Sequence, residues 1–147
     1  IREADAILIG PGSLYTSIMP NLIVPKLTEA LVASKALKIF VCNVMTQPGE
    51  TDHYSVSNHL DAIEAHIGHH IFDYVIVNSG EIPPDVQSRY AEQGARPVRL
   101  DLEEVTRRGS RVIADHLVLF QTYLRHDAVK LSNHIYQLVE NWLLRKE

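Results

Sequence analysis

The sequence has little of several features that mark specialised classes of protein. A single cysteine, Cys42, occurs in 147 residues, which excludes an internal disulfide and a thiolate metal cage and favours the reducing cytoplasm. No apolar run reaches the roughly 18 residues of a membrane span, and no signal-peptide pattern is present. With 14 basic and 18 acidic residues, the mild acidity argues against nucleic acid as a partner, because nucleic-acid binding usually needs a strongly basic face, and any anion site must be local.

The remaining composition is that of an ordinary globular chain. Hydrophobic residues make up 46% and charged residues 22% of the sequence, so the chain can bury one core, and collagen-like or disordered classes are excluded. A strand pattern begins within a few residues of the first position, and no methionine precedes it. We therefore expect residues 1–147 to form a single α/β domain that is the C-terminal portion of a larger nucleotide-binding protein.

Apolar runs that end at Gly, Asn or Pro alternate with amphipathic segments, a pattern typical of parallel βαβ units. Strands are predicted over residues 4–9, 37–42, 71–77, 98–100 and 111–114. Helices are predicted over residues 25–34, 55–67, 83–93 and in two segments after Leu117, which separate near Arg125 with Asp127 as the N-cap of the second. The pattern predicts an open, mostly parallel Rossmann-like α/β sheet with helices on both faces.

The first predicted strand ends in Gly10-Pro11-Gly12-Ser13, the most informative polar segment. Two glycines remove Cβ atoms where a ligand must approach, and successive backbone N–H groups can form an anion nest. Hydroxyl donors follow at a predicted helix start. A phosphate or diphosphate site is therefore predicted at Gly10, Gly12, Ser13, Thr16 and Ser17. A tight turn with helix-capping hydroxyls explains the tripeptide equally well.

Two further strand ends carry polar loops, and in open parallel sheets ligands bind beyond the carboxyl ends of the strands. Asn43 opens the loop over residues 43–52 and Asn78 follows the third strand, and both amides suit the hydroxyl and amide groups of a ligand. A solvated loop in which Asp52 caps the next helix is the alternative. Arg125 is a candidate clamp for a diphosphate, with an ordinary helix-end charge as the competing interpretation.

Signatures of metal sites and hydrolases are missing from the sequence. Four of the eight histidines lie close together in the sequence, namely His59, His66, His69 and His70. Their spacing does not match a zinc motif such as H-E-x-x-H. We expect no metal there. The Gly-Pro-Gly-Ser-Leu segment does not match the G-x-S-x-G nucleophile pattern, and Cys42 is expected to be a buried core thiol.

Five segments in order resemble one family of proteins. They are residues 4–17 (ADAILIGPGSLYTS), 21–25 (NLIVP), 41–51 (VCNVMTQPGET), 73–78 (DYVIVN) and 125–127 (RHD). Together they resemble the YvcK-type gluconeogenesis factors, which belong to the CofD-like superfamily of 2-phospho-L-lactate transferases. The resemblance covers the later half of that family's usual chain.

The resemblance implies a cytoplasmic bacterial regulator that binds a nucleotide sugar such as UDP-N-acetylglucosamine. It implies a role in growth on gluconeogenic carbon sources and in cell shape or wall maintenance. It places Gly12, Ser13 and Asn43 at the ligand crevice, turns Arg125 toward the diphosphate and makes Tyr90 a candidate for stacking on the nucleotide. It implies no certain cofactor, and it allows a homodimer and partners from cell-wall or carbon metabolism.

An enzyme of the same superfamily is the alternative. Such a transferase would move a phospholactyl group onto a deazaflavin alcohol with a divalent metal, which Asp52 or Glu50 could hold. The transferase branch has Gly-Pro-Ser-Asn where this sequence has Gly-Pro-Gly-Ser at residues 10–13, so the resemblance does not establish a reaction. A packing fragment with an incomplete ligand site is the third interpretation.

Overall fold

A four-stranded parallel sheet forms the centre of the structure. The computed structural model describes residues 1–120 and 123–146. Every neighbouring pair of strands in the sheet is parallel, and their spatial order is β1 (Ala6–Ile9), β2 (Leu37–Val41), β3 (Tyr74–Asn78) and β4 (Arg111–Asp115). This arrangement confirms the predicted α/β class with a parallel, Rossmann-like sheet.

Helices cover both faces of the sheet. After a π-helical turn over Leu14–Ile18, they are α1 (Met19–Leu22), α2 (Pro25–Ala33), α3 (Val56–Ile67), α4 (Pro84–Glu92), α5 (Leu102–Arg107) and α6 (Ala128–Leu144). Side chains alternate along β2, so Phe40 joins the core that contains Leu60 of α3, whereas Ile39 and Val41 join the core against which Leu131 of α6 packs. Burial on both faces explains the nearly continuous apolar run of β2. None of the helices in the described residues has the length and apolar character needed to cross a membrane.

Side-chain caps fix the first turns of α3 and α6. The Ser55 hydroxyl accepts a hydrogen bond from the Asn58 backbone, and the Asn58 side chain accepts one from the Ser55 backbone N–H at 3.0 Å, which completes a capping box. Asp127 Oδ1 accepts from the backbone N–H groups of Val129 and Lys130, both at 3.1 Å. The predicted N-cap at Asp127 is therefore confirmed.

The first of the two helices predicted after Leu117 is wrong. The segment forms an antiparallel hairpin of β5 (Val118–Phe120) and β6 (Leu124–His126). Val118 is buried and Leu119 is 53% exposed, which is the alternation of a strand. Strands of three residues are too short for this period to stand out against a helical pattern. Arg125 consequently lies on a hairpin strand and not at a break between helices.

The strand predicted over residues 98–100 is also wrong. Among the described residues, this segment makes only isolated bridges, and β4 takes the place next to β3. The segment instead braces the loop that follows β2, because the Val98 N–H donates to the Val44 carbonyl at 2.9 Å and the Thr46 N–H donates to the Arg96 carbonyl at 2.7 Å. Its backbone thus pairs with this loop rather than with the sheet, while the Val98 side chain is buried in the core on one face of the sheet.

The two edges of the sheet differ in chemical character. β4 begins with Arg111 and ends with Asp115, so charged side chains stand at both of its ends. β1 consists only of apolar residues, and its Leu8 is 44% exposed. A cavity of about 290 Å³ lies beside β1, where side chains of β1, α1 and α2 line it together with Gly10 and Gly12.

Candidate functional site

The polar loops that follow β1, β2 and β3 meet at one edge of the sheet. Because the strands are parallel, their carboxyl ends point the same way. The Cys42 N–H extends the pairing of β2 to the Ile76 carbonyl at 3.0 Å, and Gly10, Asn43 and Ser79 follow the three strands directly. The structure thus brings these predicted loops together at the crevice position where open α/β sheets bind ligands.

The loop after β1 is held closely against the end of β2. Gly10 has a φ of +81°, and a Cβ added there would lie 2.4 Å from the Val41 carbonyl oxygen, so only glycine fits. The Gly12 N–H donates to Asn43 Oδ1 at 3.0 Å, and Asn43 Nδ2 donates to the Gly12 carbonyl at 2.8 Å. Asn43 therefore lies at the crevice as a clamp between the two loops.

Ser13 links the first loop to the second through its hydroxyl. Ser13 Oγ donates to Glu50 Oε2 at 2.7 Å and accepts from both the N–H and the hydroxyl of Thr16, at 3.2 and 2.5 Å. Ser13 is also the N-cap of the π-helical turn, so the capping interpretation of these hydroxyls is correct for Ser13. Ser17 lies further along and lines the cavity beside β1.

The loop over residues 43–52 is braced rather than freely solvated. Thr46 and Thr51 are buried, and the Gln47 N–H donates to Thr51 Oγ1 at 2.8 Å. Asp52 does not cap the following helix, because its Oδ2 accepts from the Gly49 N–H at 2.7 Å and Ser55 is the cap. The loop is consequently a fixed wall of the crevice.

A pair of tyrosines at the crevice was not predicted from the sequence. Tyr15 Oη and Tyr54 Oη lie 2.7 Å apart, and each tyrosine follows one partner of the Ser13–Glu50 contact in the sequence. The hydrogen bond between the two phenols, together with partial burial, raises the pKa of the Tyr15 phenol. The two residues are 39 positions apart, and the only signal in the sequence is that each lies close to a predicted loop.

Asn78 lies at the predicted edge, with its amide bound to the backbone. Its Oδ1 accepts from the Leu117 N–H at 2.9 Å and from the Gly80 N–H at 3.3 Å, and its Nδ2 donates to the Gly80 carbonyl at 3.0 Å. A Cβ at Gly80 would lie 2.5 Å from the His116 ring. Asn78 thereby ties the end of β3 to the segment that leads into the hairpin.

Tyr90 lies on α4 against the hairpin, where its hydroxyl accepts a hydrogen bond from the Leu124 N–H at 3.0 Å. On the same helix, the Arg89 guanidinium lies 4.8 Å from the centroid of the Phe120 ring. These contacts connect α4 to both hairpin strands. Tyr90 is therefore in a position to hold the residue next to Arg125.

Arg125 is exposed on β6, and its neighbour His126 packs against the end of β2. Burial lowers the pKa of His126 below the ordinary value of 6.5, and a hydrogen bond to the Cys42 backbone opposes that shift. The Asp127 N–H donates to the Leu117 carbonyl at 2.7 Å, and the Leu117 N–H donates to Asn78 Oδ1 at 2.9 Å, so the base of the hairpin lies at the carboxyl end of β3, beside the crevice. Arg125 lines a cavity of about 290 Å³ between the hairpin and the start of α6.

The histidines and the cysteine occupy separate, structural positions. His59 is buried, its Nδ1 lies 2.8 Å from the Ser55 carbonyl, and burial lowers its pKa. His66 contacts the Leu22 carbonyl, and His70 contacts Glu64. No group of three His, Cys, Asp or Glu side chains suited to a metal occurs in the part of the chain that the structure describes.

Burial raises the pKa of the Cys42 thiol to about 12, with the nearby charge of Asp101 adding to the shift. A thiol with this pKa stays protonated at neutral pH, and the protonated form is not nucleophilic. Its complete burial also keeps substrates away. The expectation of a buried core thiol is confirmed.

The parallel sheet, its helical layers and the polar carboxyl edge define an open Rossmann-like α/β protein. The chain belongs to the family described as 2-phospho-L-lactate transferase CofD, whose model matches residues 1–118. It is 46% identical to the gluconeogenesis factor of Bacillus subtilis (strain 168). This match extends over 141 residues and covers 95% of this chain and 44% of that protein. The gluconeogenesis factor of Halalkalibacterium halodurans is 48% identical over 92% of this chain and 42% of its own length.

Solved structures show the same fold. A crystal structure of a Bacillus halodurans protein superimposes with a TM-score of 0.89 at 48% identity and covers 92% of this chain and 44% of that one. A second crystal structure, of a UPF0052-family protein from Bacillus halodurans, gives a TM-score of 0.88. The chain thus spans less than half the length of the relatives it matches.

Proposed function

We propose that the protein binds a nucleotide sugar of the UDP-N-acetylglucosamine kind at the carboxyl edge of the sheet and acts as a regulator in the bacterial cytoplasm. The observation that carries this proposal is the exposed guanidinium of Arg125 beside the crevice. Among the described residues, no carboxylate lies within ion-pair distance of it. A guanidinium offers paired N–H donors that match the oxygens of a diphosphate.

The side chains at the crevice suit recognition better than bond cleavage. Ser13 Oγ accepts two hydrogen bonds from Thr16 and gives its own proton to Glu50, so both of its lone pairs are engaged. The Cys42 thiol is buried and protonated. These properties support a binding role, and we propose that the ligand-bound state is passed to protein partners.

The relatives extend the proposal to physiology. The proteins from Bacillus subtilis and Halalkalibacterium halodurans are named gluconeogenesis factors, and we assign this chain the same role in growth on gluconeogenic carbon sources. Maintenance of cell shape or wall, with partners from cell-wall or carbon metabolism, is part of the same proposal. Because the chain spans 44% of the Bacillus subtilis relative, residues outside 1–147 are proposed to complete the nucleotide site.

A phospholactyl transferase is the second candidate, and the match to the CofD family favours it. That reaction uses a divalent metal. Here Ser13 engages Glu50 and the Gly49 N–H engages Asp52, and no third His, Cys, Asp or Glu joins them within the described ranges. A divalent metal held by Glu50 and Asp52 would therefore take its remaining ligands from water and from the phosphate oxygens of the substrate. Binding and turnover of a deazaflavin alcohol would make the transferase the better assignment.

Isothermal titration of the protein at its full natural length with UDP-N-acetylglucosamine tests the regulator proposal. Arg125→Ala should weaken binding about thirtyfold, since removing one partner of a charged hydrogen bond costs roughly 2 kcal/mol. Arg107→Ala removes an exposed arginine that pairs with Glu104 on α5, and this control should bind as the unsubstituted protein does.

Each alternative result of the titration has a defined meaning. Tight binding that Arg125→Ala leaves unchanged would move the site away from the hairpin. Absence of binding to the unsubstituted protein would reject the nucleotide-sugar proposal and leave the transferase as the leading candidate.

A further inference from the structure

The cavity between the hairpin and the first turn of α6 has a size that suits part of a ligand. Its volume is about 290 Å³, and its lining includes Leu119, Tyr123, Arg125, Asp127 and Val129. Pockets that hold whole small molecules measure roughly 300–1,000 Å³. A nucleotide sugar is a large ligand on this scale, so the cavity would take one of its moieties.

Three large side chains on the rim of this cavity remain in water. Leu119 is 53%, Tyr123 is 65% and Val129 is 70% exposed, and all three line the same cavity. Scattered exposed apolar residues need no explanation, but a group of them around one concavity marks a binding surface. A flat ring or an apolar ring face would remove this group from water.

A fixed carboxylate completes the lining. Asp127 Oδ1 accepts from the backbone N–H groups of Val129 and Lys130, so the cap holds the carboxyl group in one orientation. Asp127 Oδ2 has no hydrogen-bond partner in residues 1–120 and 123–146. An oriented carboxylate oxygen accepts hydrogen bonds from hydroxyl groups.

We infer that this cavity is the subsite for the sugar ring of the nucleotide sugar, with the diphosphate held at Arg125. The inference rests on the proposed function and assigns one moiety of the ligand to one place. Tyr123 packs on the apolar face of the pyranose, Leu119 and Val129 exclude water from its edge, and Asp127 accepts from its hydroxyl groups. Arg125 stands on the same lining and reaches the neighbouring phosphate oxygens.

The polar groups of the cavity match a sugar better than a nucleobase. A base is recognised through backbone or amide groups that pair with its edge. Here the Val129 N–H is engaged by Asp127 Oδ1, and the Asp127 N–H donates to the Leu117 carbonyl at 2.7 Å. The remaining acceptor is a carboxylate, which suits a ring with several hydroxyl donors.

Titrations with UDP and with UDP-N-acetylglucosamine on the full-length protein separate the two moieties. Tyr123→Ala should weaken binding of the UDP-sugar about tenfold and change binding of UDP less than twofold, and Tyr123→Phe should restore the sugar affinity because the ring face remains. Tyr136→Ala, which removes a tyrosine on α6 that is 67% exposed, is the matched control and should change neither affinity.

Asp127→Asn provides a second variant that keeps an oxygen for the helix cap. It should also lower the affinity for the UDP-sugar and leave that for UDP unchanged. Equal weakening of both ligands by Tyr123→Ala, or no weakening of either, would overturn the sugar subsite while the nucleotide site remains. If the unsubstituted protein binds neither ligand, the proposed function fails and the subsite fails with it.

Discussion

Asn43 and Gly12, 31 positions apart, exchange two hydrogen bonds across the crevice. The amide of Asn43 donates to the carbonyl of Gly12 and accepts from its N–H, so one side chain replaces a pair of backbone contacts between the loops. This contact fixes the position of Ser13, which follows Gly12 and reaches Glu50 on the second loop. The Asn43 amide therefore joins the two loops that form the crevice.

Asn43→Ala should destabilise the protein by roughly 1–3 kcal/mol, because it leaves the half-buried Gly12 N–H and carbonyl without partners. Urea denaturation measures the change in the free energy of unfolding. Asn133→Ala replaces an exposed asparagine on α6 and should stay within about 0.5 kcal/mol of the unsubstituted protein. Equal stability of the two variants would contradict the clamp.

Gly10→Ala should be more harmful than Gly49→Ala, although both residues have positive φ values, +81° and +78°. At Gly49 an added Cβ meets nothing within 4 Å, whereas at Gly10 it would lie 2.4 Å from the Val41 carbonyl oxygen. Gly49→Ala should therefore cost only the left-handed backbone strain, about 1–2 kcal/mol, and Gly10→Ala clearly more. Thermal melting of both variants checks the order, and similar melting temperatures would show that the loop after β1 can move aside.

Tyr90→Phe distinguishes a positioning role from stacking on the nucleotide. The phenyl ring would stack as well as the phenol, but it cannot accept the hydrogen bond from the Leu124 N–H. We expect UDP-N-acetylglucosamine affinity to fall by a factor of about 3–10, corresponding to one net hydrogen bond of roughly 0.5–1.5 kcal/mol. Hydrogen exchange at the Leu124 amide should accelerate in the same variant. Unchanged affinity with unchanged exchange would favour stacking instead.

The stability of the fold should decrease as the pH falls through the histidine range. Burial lowers the pKa of His59 and of His126 below 6.5, so the unfolded chain binds protons at pH values where the native histidines remain neutral. The free energy of unfolding therefore decreases as the pH drops below 6.5 toward the native pKa values. Urea denaturation between about pH 8 and pH 5 measures this slope.

Replacement of both histidines, His59→Gln with His126→Gln, should flatten this dependence, and His53→Gln at an exposed turn should not. Burial raises the pKa of Asp101, but hydrogen bonds from Ser57 and Ser55 outweigh it and leave the pKa below the ordinary 3.8. Its contribution to stability is therefore lost at lower pH, outside the measured window. An unchanged slope in the double variant would show that other groups control the dependence.

The parts of the fold that follow from local pattern were predictable. β2 is a short run in which four of five residues are apolar, α3 has an apolar face, and Asp127 caps the start of α6. Because the strands are parallel and polar loops follow them, Gly10, Asn43 and Asn78 are expected at the same edge of the sheet. Each of these inferences needs only neighbouring residues and the rule that helices connect parallel strands.

The parts that depend on distant residues were not predictable in this way. The hairpin strands carry three residues each, and their pairing with α4 relies on Tyr90, more than thirty positions from its partner Leu124. The Tyr15–Tyr54 and Ser13–Glu50 contacts likewise join separate loops. Such contacts have no period in the sequence, because they arise from how the loops pack once the sheet exists.

The apolar outer edge of β1 affects how the isolated chain should behave in concentrated solution. Natural sheets protect exposed edges with charges, prolines or covering segments, because unpaired backbone groups recruit strands from other molecules. The four residues of β1 contain no charge and no proline, so this chain by itself should form aggregates by edge-to-edge strand addition. Leu8→Lys would place a charge on that edge that hinders strand addition, and this variant should remain free of aggregates.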